Sequence, residues 1–257
     1  MKNKEGIIKT KYFNNIIEIL ELFMQLDSIE ATSSIINEGK KRKEVVLIGI
    51  LSSIGLVLKE IKNSYNLNNL SIFLLIRYIY ESCITFQYIF IIEPKKTREK
   101  VDAFFWYSIM EHKNILEEDY FNENSQWKNA INFKKGRDKK TWSGKSLYDM
   151  YRKIEKNFKK KSGAKYHKII YKHLSVFSHP TLFQMEILFG DNIKNKKLID
   201  INIQLSCAYI TEILYQFFVE RNETIKSVKL TNKTKEKIIN TRSQILKDLK
   251  KYQNIQE

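Results

Sequence analysis

Apolar residues recur at three- and four-residue intervals along most of the 257-residue chain, and this periodicity is its strongest constraint on fold. The first example is a stripe that one helix face would present together: Phe13, Ile16, Ile17, Leu20 and Phe23. No stretch sustains the alternation typical of a strand, and eight Gly and two Pro provide few tight turns. We therefore predict an all-α fold, a multi-helix bundle with a basic C-terminal helix.

The periodicity and its interruption by Asn and Pro predict the helix bounds. One helix is predicted from a cap at Asn68 or Asn69 to just before Pro94. The other predicted helices are Lys43–Ser64, Pro94–Glu118, Ser146–Phe158, Ala164–Ser178, Lys197–Glu220 and Lys226–Gln253. The polar stretch Asp119–Ser143 is predicted to be a connection with a short helix around Trp127. Because no repeat or low-complexity linker divides the chain, we predict one helical domain over residues 1–225. The basic helix within residues 226–257 has a narrow apolar stripe, so we expect it to dock on the domain or to pair with a partner.

Two apolar runs raise the question of membrane insertion. Val45–Leu58 has 14 residues, fewer than the ~20 that cross a bilayer. Leu70–Ile92 is long enough, but it carries Arg77 and Glu81, and a charge at the bilayer centre costs about 2.5–3.5 kcal/mol. We therefore predict a buried core helix and no membrane insertion. Because no apolar stretch follows the charged Met1–Thr10, we expect a cytoplasmic protein.

The sequence offers little support for a metal or a cofactor. Two cysteines, Cys83 and Cys207, exclude a disulfide scaffold and a four-cysteine zinc site. The four histidines, at 112, 167, 173 and 179, contain no pair four residues apart. Trp142-Ser-Gly-Lys-Ser146 ends like a phosphate loop but lacks the correctly spaced earlier glycine and the preceding strand. We predict instead a helix start capped by Ser143, with Trp142 packed beneath it, and no cofactor.

The formal charge of +16 is confined to two segments. Lys128–Lys172 has sixteen bases and three acids, and Lys226–Lys251 has nine bases and two acids. Such clustering is typical of proteins with a phosphate-rich partner. Aromatic residues that could stack on unpaired bases are interleaved in the first segment: Phe133, Trp142, Tyr148, Tyr151, Phe158 and Tyr166. A solvated basic face is the alternative, because the chain is generally rich in Lys, Asn and Ile and uses Lys far more than Arg.

Two groups of polar residues are candidates for a site. Arg77 and Glu81 are four residues apart on one helix face, either as a buried ion pair or as the lining of a polar pocket. Tyr171, Ser175 and His179 also follow at intervals of four, which gives a helix one stripe with acid–base capacity. The alternative for His179 is a structural one, since a histidine at a helix C-terminus interacts favourably with the helix dipole.

These residues carry a resemblance to a known family. Arg77-x-x-x-Glu81, Trp142-Ser-Gly-Lys-Ser146 and Tyr171-x-x-Leu-Ser175-x-x-x-His179-Pro180 resemble, over about Lys43–Phe218, the bacterial family called domain of unknown function 5677. Tyr78 beside Arg77 departs mildly from its pattern, and the C-terminal basic helix lies outside it. The resemblance implies a helical cytoplasmic protein whose biochemistry is not established. It also implies that five residues from two distant helices converge on one pocket: Arg77, Glu81, Tyr171, Ser175 and His179.

A looser similarity is to the helical ribonucleases of the HEPN superfamily, which use an Arg followed four to six residues later by His. This chain has no Arg at that distance before any of its histidines. Arg77 and His179 would therefore supply such a pair only through tertiary contact. The similarity is one of chemistry, in which an imidazole moves the 2′-hydroxyl proton and a cation stabilises the phosphorane.

Our hypothesis is a protein that binds RNA, a nucleotide or another phosphate ligand through Lys128–Lys172, with RNA cleavage in antiviral defence or as a toxin as its extension. His179 is the predicted general acid or base, Arg77 the phosphate clamp and Glu81 its orienting partner. The predicted ligand-binding residues are Tyr171, Ser175, Lys145, Lys159, Lys160 and Lys161. A non-enzymatic helical protein-interaction module, with a protein partner on the C-terminal helix, is the alternative, and a hydrolase using Ser175 is a third. The oligomeric state stays open.

Overall fold

The computed structural model describes residues 7, 10–24, 39–65, 70–113, 142–157, 192–225, 228 and 230–253. These residues form seven α-helices: α1 (Lys11–Met24), α2 (Gly39–Ser64), α3 (Leu70–Phe86), α4 (Thr97–Lys113), α5 (Leu147–Asn157), α6 (Asn192–Leu214) and α7 (Asn232–Gln253). The only extended pairing among them is an isolated antiparallel bridge between Ile225 and Val228. The predicted all-α fold is confirmed.

Two of the helices end in a wider π-helical turn. Helix α3 continues into the π-turn Gln87–Ile91, and α6 continues into the π-turn Tyr215–Glu220. After the first of these, Glu93 adopts a left-handed conformation (φ 52°), and the 3₁₀ turn Pro94–Lys96 leads into α4. Proline fits this position because its fixed φ suits the first turn of a helix and its missing N–H is not needed there. The predicted end of the helix before Pro94 is thus confirmed.

The helices pack around one core. Helix α2 lies against α1, α3 and α4, while α6 lies against α3 and α7, and α7 returns to α1. The five residues of the predicted α1 stripe are all buried. At the centre the ring of Phe23 stacks on Phe218 at a centroid distance of 5.6 Å, and Phe86 meets Phe217 edge-on at 5.4 Å. Burial of these aromatic rings together with many Ile and Leu side chains supplies the driving force for the core.

Helix α7 is docked on this core rather than detached from it. Ile238 and Ile245, seven residues apart, are fully buried. Thr241, between them, is also buried and accepts a hydrogen bond from Asn15 Nδ2 on α1 at 3.3 Å. Ile239 and Leu246 lie outside this buried stripe, and each is about 40% exposed. The narrow apolar stripe therefore serves as the contact face with α1 and α6.

The start of α7 corrects the prediction of a helix from Lys226. The helix begins at Asn232, and Thr231 caps it by accepting a hydrogen bond from the Thr234 backbone N–H at 3.2 Å. A side-chain oxygen at this position satisfies one of the free N–H groups of the first turn. Before it, Ile225 and Val228 are buried as a bridge instead of continuing the helical stripe.

Other predicted bounds shift outward or lie outside the described residues. Helix α2 begins at Gly39 rather than Lys43, and α6 begins at Asn192 rather than Lys197. The caps at Asn68 or Asn69, the helix around Trp127, the helix over Ala164–Ser178 and the ends at Glu118 and Phe158 fall outside the described residues.

In the part of the chain that the structure describes, one bent pair of helices has the length and composition of a membrane span. Among the described residues, no single helix has both the length and the apolar character to cross a bilayer. Ser71–Ile91 and Pro94–Ser108 together have the required length and apolar character, but a bend of 96° separates the two segments.

Candidate functional site

Arg77 and Glu81 form the ion pair that their spacing predicts, but the pair is not buried. Arg77 Nε donates to Glu81 Oε1 at 2.8 Å. The Arg77 side chain is 28% exposed to solvent and the Glu81 side chain 38%. Leu74 and Tyr78 on the same side of α3 are about half exposed. Of the two alternatives, the buried ion pair is wrong because this face of α3 lies at the surface, and the polar pocket stays a prediction. Both charges are thus accessible to solvent.

Most of the remaining predicted site residues lie outside the described part of the chain. These are Tyr171, Ser175, His179, Lys159, Lys160 and Lys161. The structure therefore brings Arg77 together with Glu81 and leaves their convergence with His179 a prediction. Lys145 is described, and it lies in the turn that precedes α5.

That turn is anchored to the core by its tryptophan. Trp142 is partly buried and meets the rings of Tyr88 and Phe104 edge-on, at centroid distances of 5.8 and 5.2 Å. Gly144 then takes a left-handed conformation (φ 63°), which glycine adopts without steric cost. The predicted packing of Trp142 is confirmed. Its contacts also mean that this ring is a structural anchor rather than a free platform for a nucleotide base.

The cap of α5 is Ser146, not the predicted Ser143. Ser146 Oγ accepts a hydrogen bond from the Asp149 backbone N–H at 3.1 Å, and Asp149 Oδ2 accepts one from the Ser146 backbone N–H at 3.3 Å. This reciprocal arrangement is a capping box with Asp in the acidic position. The hydrogen bonds from Ser146 lower the pKa of Asp149. Ser143 bonds only to the backbone of Lys145.

Capping at Ser146 fixes which residues of α5 face outward. Met150, Tyr151 and Ile154 are buried against the domain. Tyr148, Arg152 and Lys156 follow one another at intervals of four and are all exposed, Tyr148 by 55%. The Arg152 guanidinium carbon lies 5.9 Å from the centre of the Tyr148 ring. We call these three residues the α5 stripe. Tyr151, expected as a stacking residue, is instead a core residue.

The other cation of α5 points inward and is neutralised. Lys153 Nζ lies 3.3 Å from Glu93 Oε2 and 6.0 Å from the centre of the Tyr88 ring. Glu93 also pairs with Lys96 and Lys100. Burial alone would raise the pKa of Glu93, but Lys153 and the two other lysines lower it overall. The charges of Arg152 and Lys156, in contrast, face solvent without an ion pair to any described carboxylate.

A buried lysine, not identified from the sequence, closes the end of α3. Lys100 on α4 donates from Nζ to the backbone carbonyls of Tyr88, at 2.8 Å, and of Ile92. Burial lowers its pKa to about 8, against the attraction of Glu93. Arg221, after α6, donates to the neighbouring Ile91 carbonyl at 2.6 Å. Two cations thus satisfy carbonyls that the helix end leaves unpaired. Nothing in the sequence distinguishes Lys100 among 45 Lys and Arg residues.

A polar chain joins the two π-turns inside the protein. Gln87 Nε2 donates to Gln216 Oε1 at 3.2 Å, and Gln216 Nε2 donates to Glu212 Oε1 at 2.9 Å. Tyr209 donates its hydroxyl to Gln87, and Arg242 on α7 donates to Glu212 Oε2 at 2.7 Å. Gln87 is the first residue of its π-turn and Gln216 the second of its own, and π-turns within helices recur at functional sites. The sequence signal was Gln87 within an otherwise apolar run, which the helix prediction did not use.

No known protein guides the assignment of this site. No family model matches the chain, and no curated protein or solved structure is significantly similar to it. Within the described residues, His, Cys, Asp and Glu side chains nowhere gather in a group of three that could hold a metal ion.

Proposed function

We propose that this protein binds RNA through the basic segment Lys128–Lys172 and that the α5 stripe is one of its contact surfaces. The observation that carries the proposal is the outward stripe of Tyr148, Arg152 and Lys156, while every apolar residue of α5 points inward. One exposed aromatic ring beside two cations that pair with no described carboxylate combines the two elements of single-strand binding. The ring stacks on a base, and the cations neutralise phosphates.

Stacking and charge make separable contributions. Base stacking on an aromatic side chain is worth about 1–3 kcal/mol and tolerates any base. Each phosphate contact releases counterions, so affinity falls with salt, with a slope of about −0.7 for each contact to a single strand. Arg152 lies next to the Tyr148 ring, so one bound nucleotide would meet both. A merely solvated helix face has no need of a half-exposed tyrosine beside its cations.

Cleavage of the bound RNA is the catalytic extension of this proposal. The partly exposed Arg77 is available to a phosphate, with Glu81 Oε1 accepting from its Nε at 2.8 Å. His179 is the proposed acid or base, in line with the resemblance of the three motifs to domain of unknown function 5677. The test is a labelled RNA incubated with the wild type and with His179→Ala. Cleavage retained by a folded His179→Ala variant would remove the catalytic assignment and leave RNA binding standing.

The binding test compares variants of the α5 stripe with a matched control. Fluorescence polarisation of a labelled single-stranded RNA reports affinity at several salt concentrations. We expect Arg152→Glu with Lys156→Glu to weaken binding more than tenfold at low salt and to flatten the salt dependence. Tyr148→Ala should weaken binding about fivefold or more with little change in that slope, because it removes stacking. Lys95→Glu with Arg98→Glu, two exposed charge reversals at the start of α4 that also change the net charge by four, is the matched Arg98 control.

Equal effects of the α5 variants and the Arg98 control would contradict the proposal, because they would show a response to net charge alone. Unchanged affinity in all variants would do so as well. In either case the interaction-module alternative becomes the better account of the fold. The exposed Leu74 and Tyr78 beside Arg77 on α3 would then be the first surface to test.

A further inference from the structure

A groove lies at the surface where the π-turn of α6 meets α7. It has a volume of about 330 Å³ and is lined by Tyr215, Ile239, Arg242, Ser243, Leu246, Lys247 and Lys250. All three charged lining residues are cations. Ser243, Lys247 and Lys250 are exposed, whereas Arg242 is partly buried. We call this feature the α7 groove.

Arg242 is held in place at the floor of the groove. Its guanidinium carbon lies 4.4 Å from the centre of the Tyr215 ring, and its Nε donates to Glu212 Oε2 at 2.7 Å. Glu212 in turn accepts a hydrogen bond from Gln216, which belongs to the π-turn. Because the ion pair uses one N–H, four N–H donors of the guanidinium remain for a ligand. Two neighbouring residues of the π-turn thus support the ion pair: Tyr215 contacts Arg242, and Gln216 donates to Glu212.

We propose that the α7 groove is a second binding site for single-stranded RNA, an inference that rests on the proposed function. The occupant is one nucleotide of the strand. Its phosphate lies among Arg242, Lys247 and Lys250, and its base packs against Tyr215 and the apolar wall of Ile239 and Leu246. A planar guanidinium over an aromatic ring is a usual surface for base stacking.

Charge complementarity selects this occupant. Lys247 and Lys250 are exposed without an ion pair to a described carboxylate, and Arg242, although paired with Glu212, has N–H donors beyond that pair. The groove therefore favours a ligand with a negative charge at every repeat. The apolar contribution comes from two side chains seven residues apart, each about 40% exposed, which is small for a protein partner. The face of one base is an apolar surface of suitable size.

The experiment compares two charge-equivalent double variants on the same helix. Lys247→Glu with Lys250→Glu changes the groove, and Lys233→Glu with Lys235→Glu makes the same change of charge near the start of α7. The probe is a fluorescein-labelled oligouridylate, and polarisation measures its affinity. We expect the groove variant to bind more than tenfold more weakly and the control less than threefold more weakly. Photocrosslinking of a 4-thiouridine version should label the peptide that contains Tyr215 in the wild type.

Several outcomes would overturn the inference. Equal losses in the two double variants would assign the effect to net charge. An unchanged affinity in the groove variant, alongside weak binding by the Arg152 and Lys156 variant, would reject the α7 groove and keep the proposed function. A wild type that binds no oligouridylate would reject both. Loss of binding to phosphatidylglycerol vesicles by the groove variant, with RNA binding unchanged, would make the groove a site for anionic lipid.

Discussion

Gly55 offers a direct test of how α1 crosses α2. A Cβ at Gly55 would lie 2.7 Å from Met24 Sδ and 3.1 Å from Leu20 Cβ. Gly49, six residues earlier on the same helix, is exposed, and a Cβ there would meet nothing within 4 Å. Alanine at the two positions therefore makes the same change in helix propensity, with a steric conflict at only one of them.

The two changes in free energy of unfolding follow from these distances. Alanine in place of a helix-interior glycine stabilises by about 0.5–1 kcal/mol, which is the expected net effect of Gly49→Ala. At Gly55 the same gain is opposed by overpacking, which costs about 1–3 kcal/mol in a filled core. The Met24 thioether can rotate away, but Leu20 Cβ moves only with its backbone. We therefore expect Gly55→Ala to be destabilised by about 0.5–2 kcal/mol.

Urea unfolding followed by circular dichroism measures both changes. The midpoint should rise for Gly49→Ala and fall for Gly55→Ala with an unchanged slope, so that the difference reports stability alone. In the Met24→Ala background, the loss at Gly55 should shrink because one of the two close contacts is gone, whereas Gly49→Ala should add independently. A Gly55→Ala variant as stable as Gly49→Ala would refute the helix crossing described here.

Three further predictions concern polar residues. Arg77→Met should cost less than about 1 kcal/mol in urea unfolding, because its pair with Glu81 is partly exposed; a loss of 3–5 kcal/mol would instead indicate a buried pair. Burial lowers the pKa of Lys100 from 10.5 to about 8, so between these pH values the unfolded state binds more protons and stability should rise with pH, by up to about 3 kcal/mol. Lys100→Met should lack this rise, and a variant that keeps it would show that another group is responsible. Tyr65→Phe removes the hydroxyl that donates to the Asp200 carboxylate, so we expect the free energy of unfolding to fall by about 1–2 kcal/mol at pH 7. Burial raises the pKa of Asp200, and the loss should shrink in acid as this carboxylate gains a proton. A loss that does not change with pH would contradict this.

The helices were predictable because apolar residues recur at helical spacing several times along a helix. Five apolar residues at helical spacing specify α1, and every one of them is buried. The starts of α5 and α7 were not predictable to the residue. Ser143 and Ser146 are equally good caps by type, and only hydrogen-bond geometry shows that Ser146 and Asp149 form the box. For α7, the bridge between Ile225 and Val228 occupies residues that the apolar spacing had assigned to the helix, so the helix starts later than predicted.

The exposure of Arg77 and Glu81 was unpredictable for a different reason. Composition gives the apolar character of α3, but it does not say which helices cover which of its faces. Helices α2, α5 and α6 pack on α3 and leave Leu74 and Tyr78 half exposed. The bonds of Lys100 are equally invisible in the sequence, because they go to backbone carbonyls that every residue carries.

The basic surface has a physical order that its composition does not reveal. Four cations are engaged by the protein itself: Lys100 and Arg221 donate to backbone carbonyls, Lys153 pairs with Glu93, and Arg242 pairs with Glu212. Arg152 and Lys156 on α5 and Lys247 and Lys250 on α7 face solvent without an ion pair to a described carboxylate. Tyr148 lies beside Arg152, and Tyr215 lines the same groove as Lys247 and Lys250. Genomic bias towards lysine would add charge without this sorting or this pairing with tyrosine. The division of the cations between structure and surface is thus the strongest physical argument that the outward ones serve a polyanionic partner.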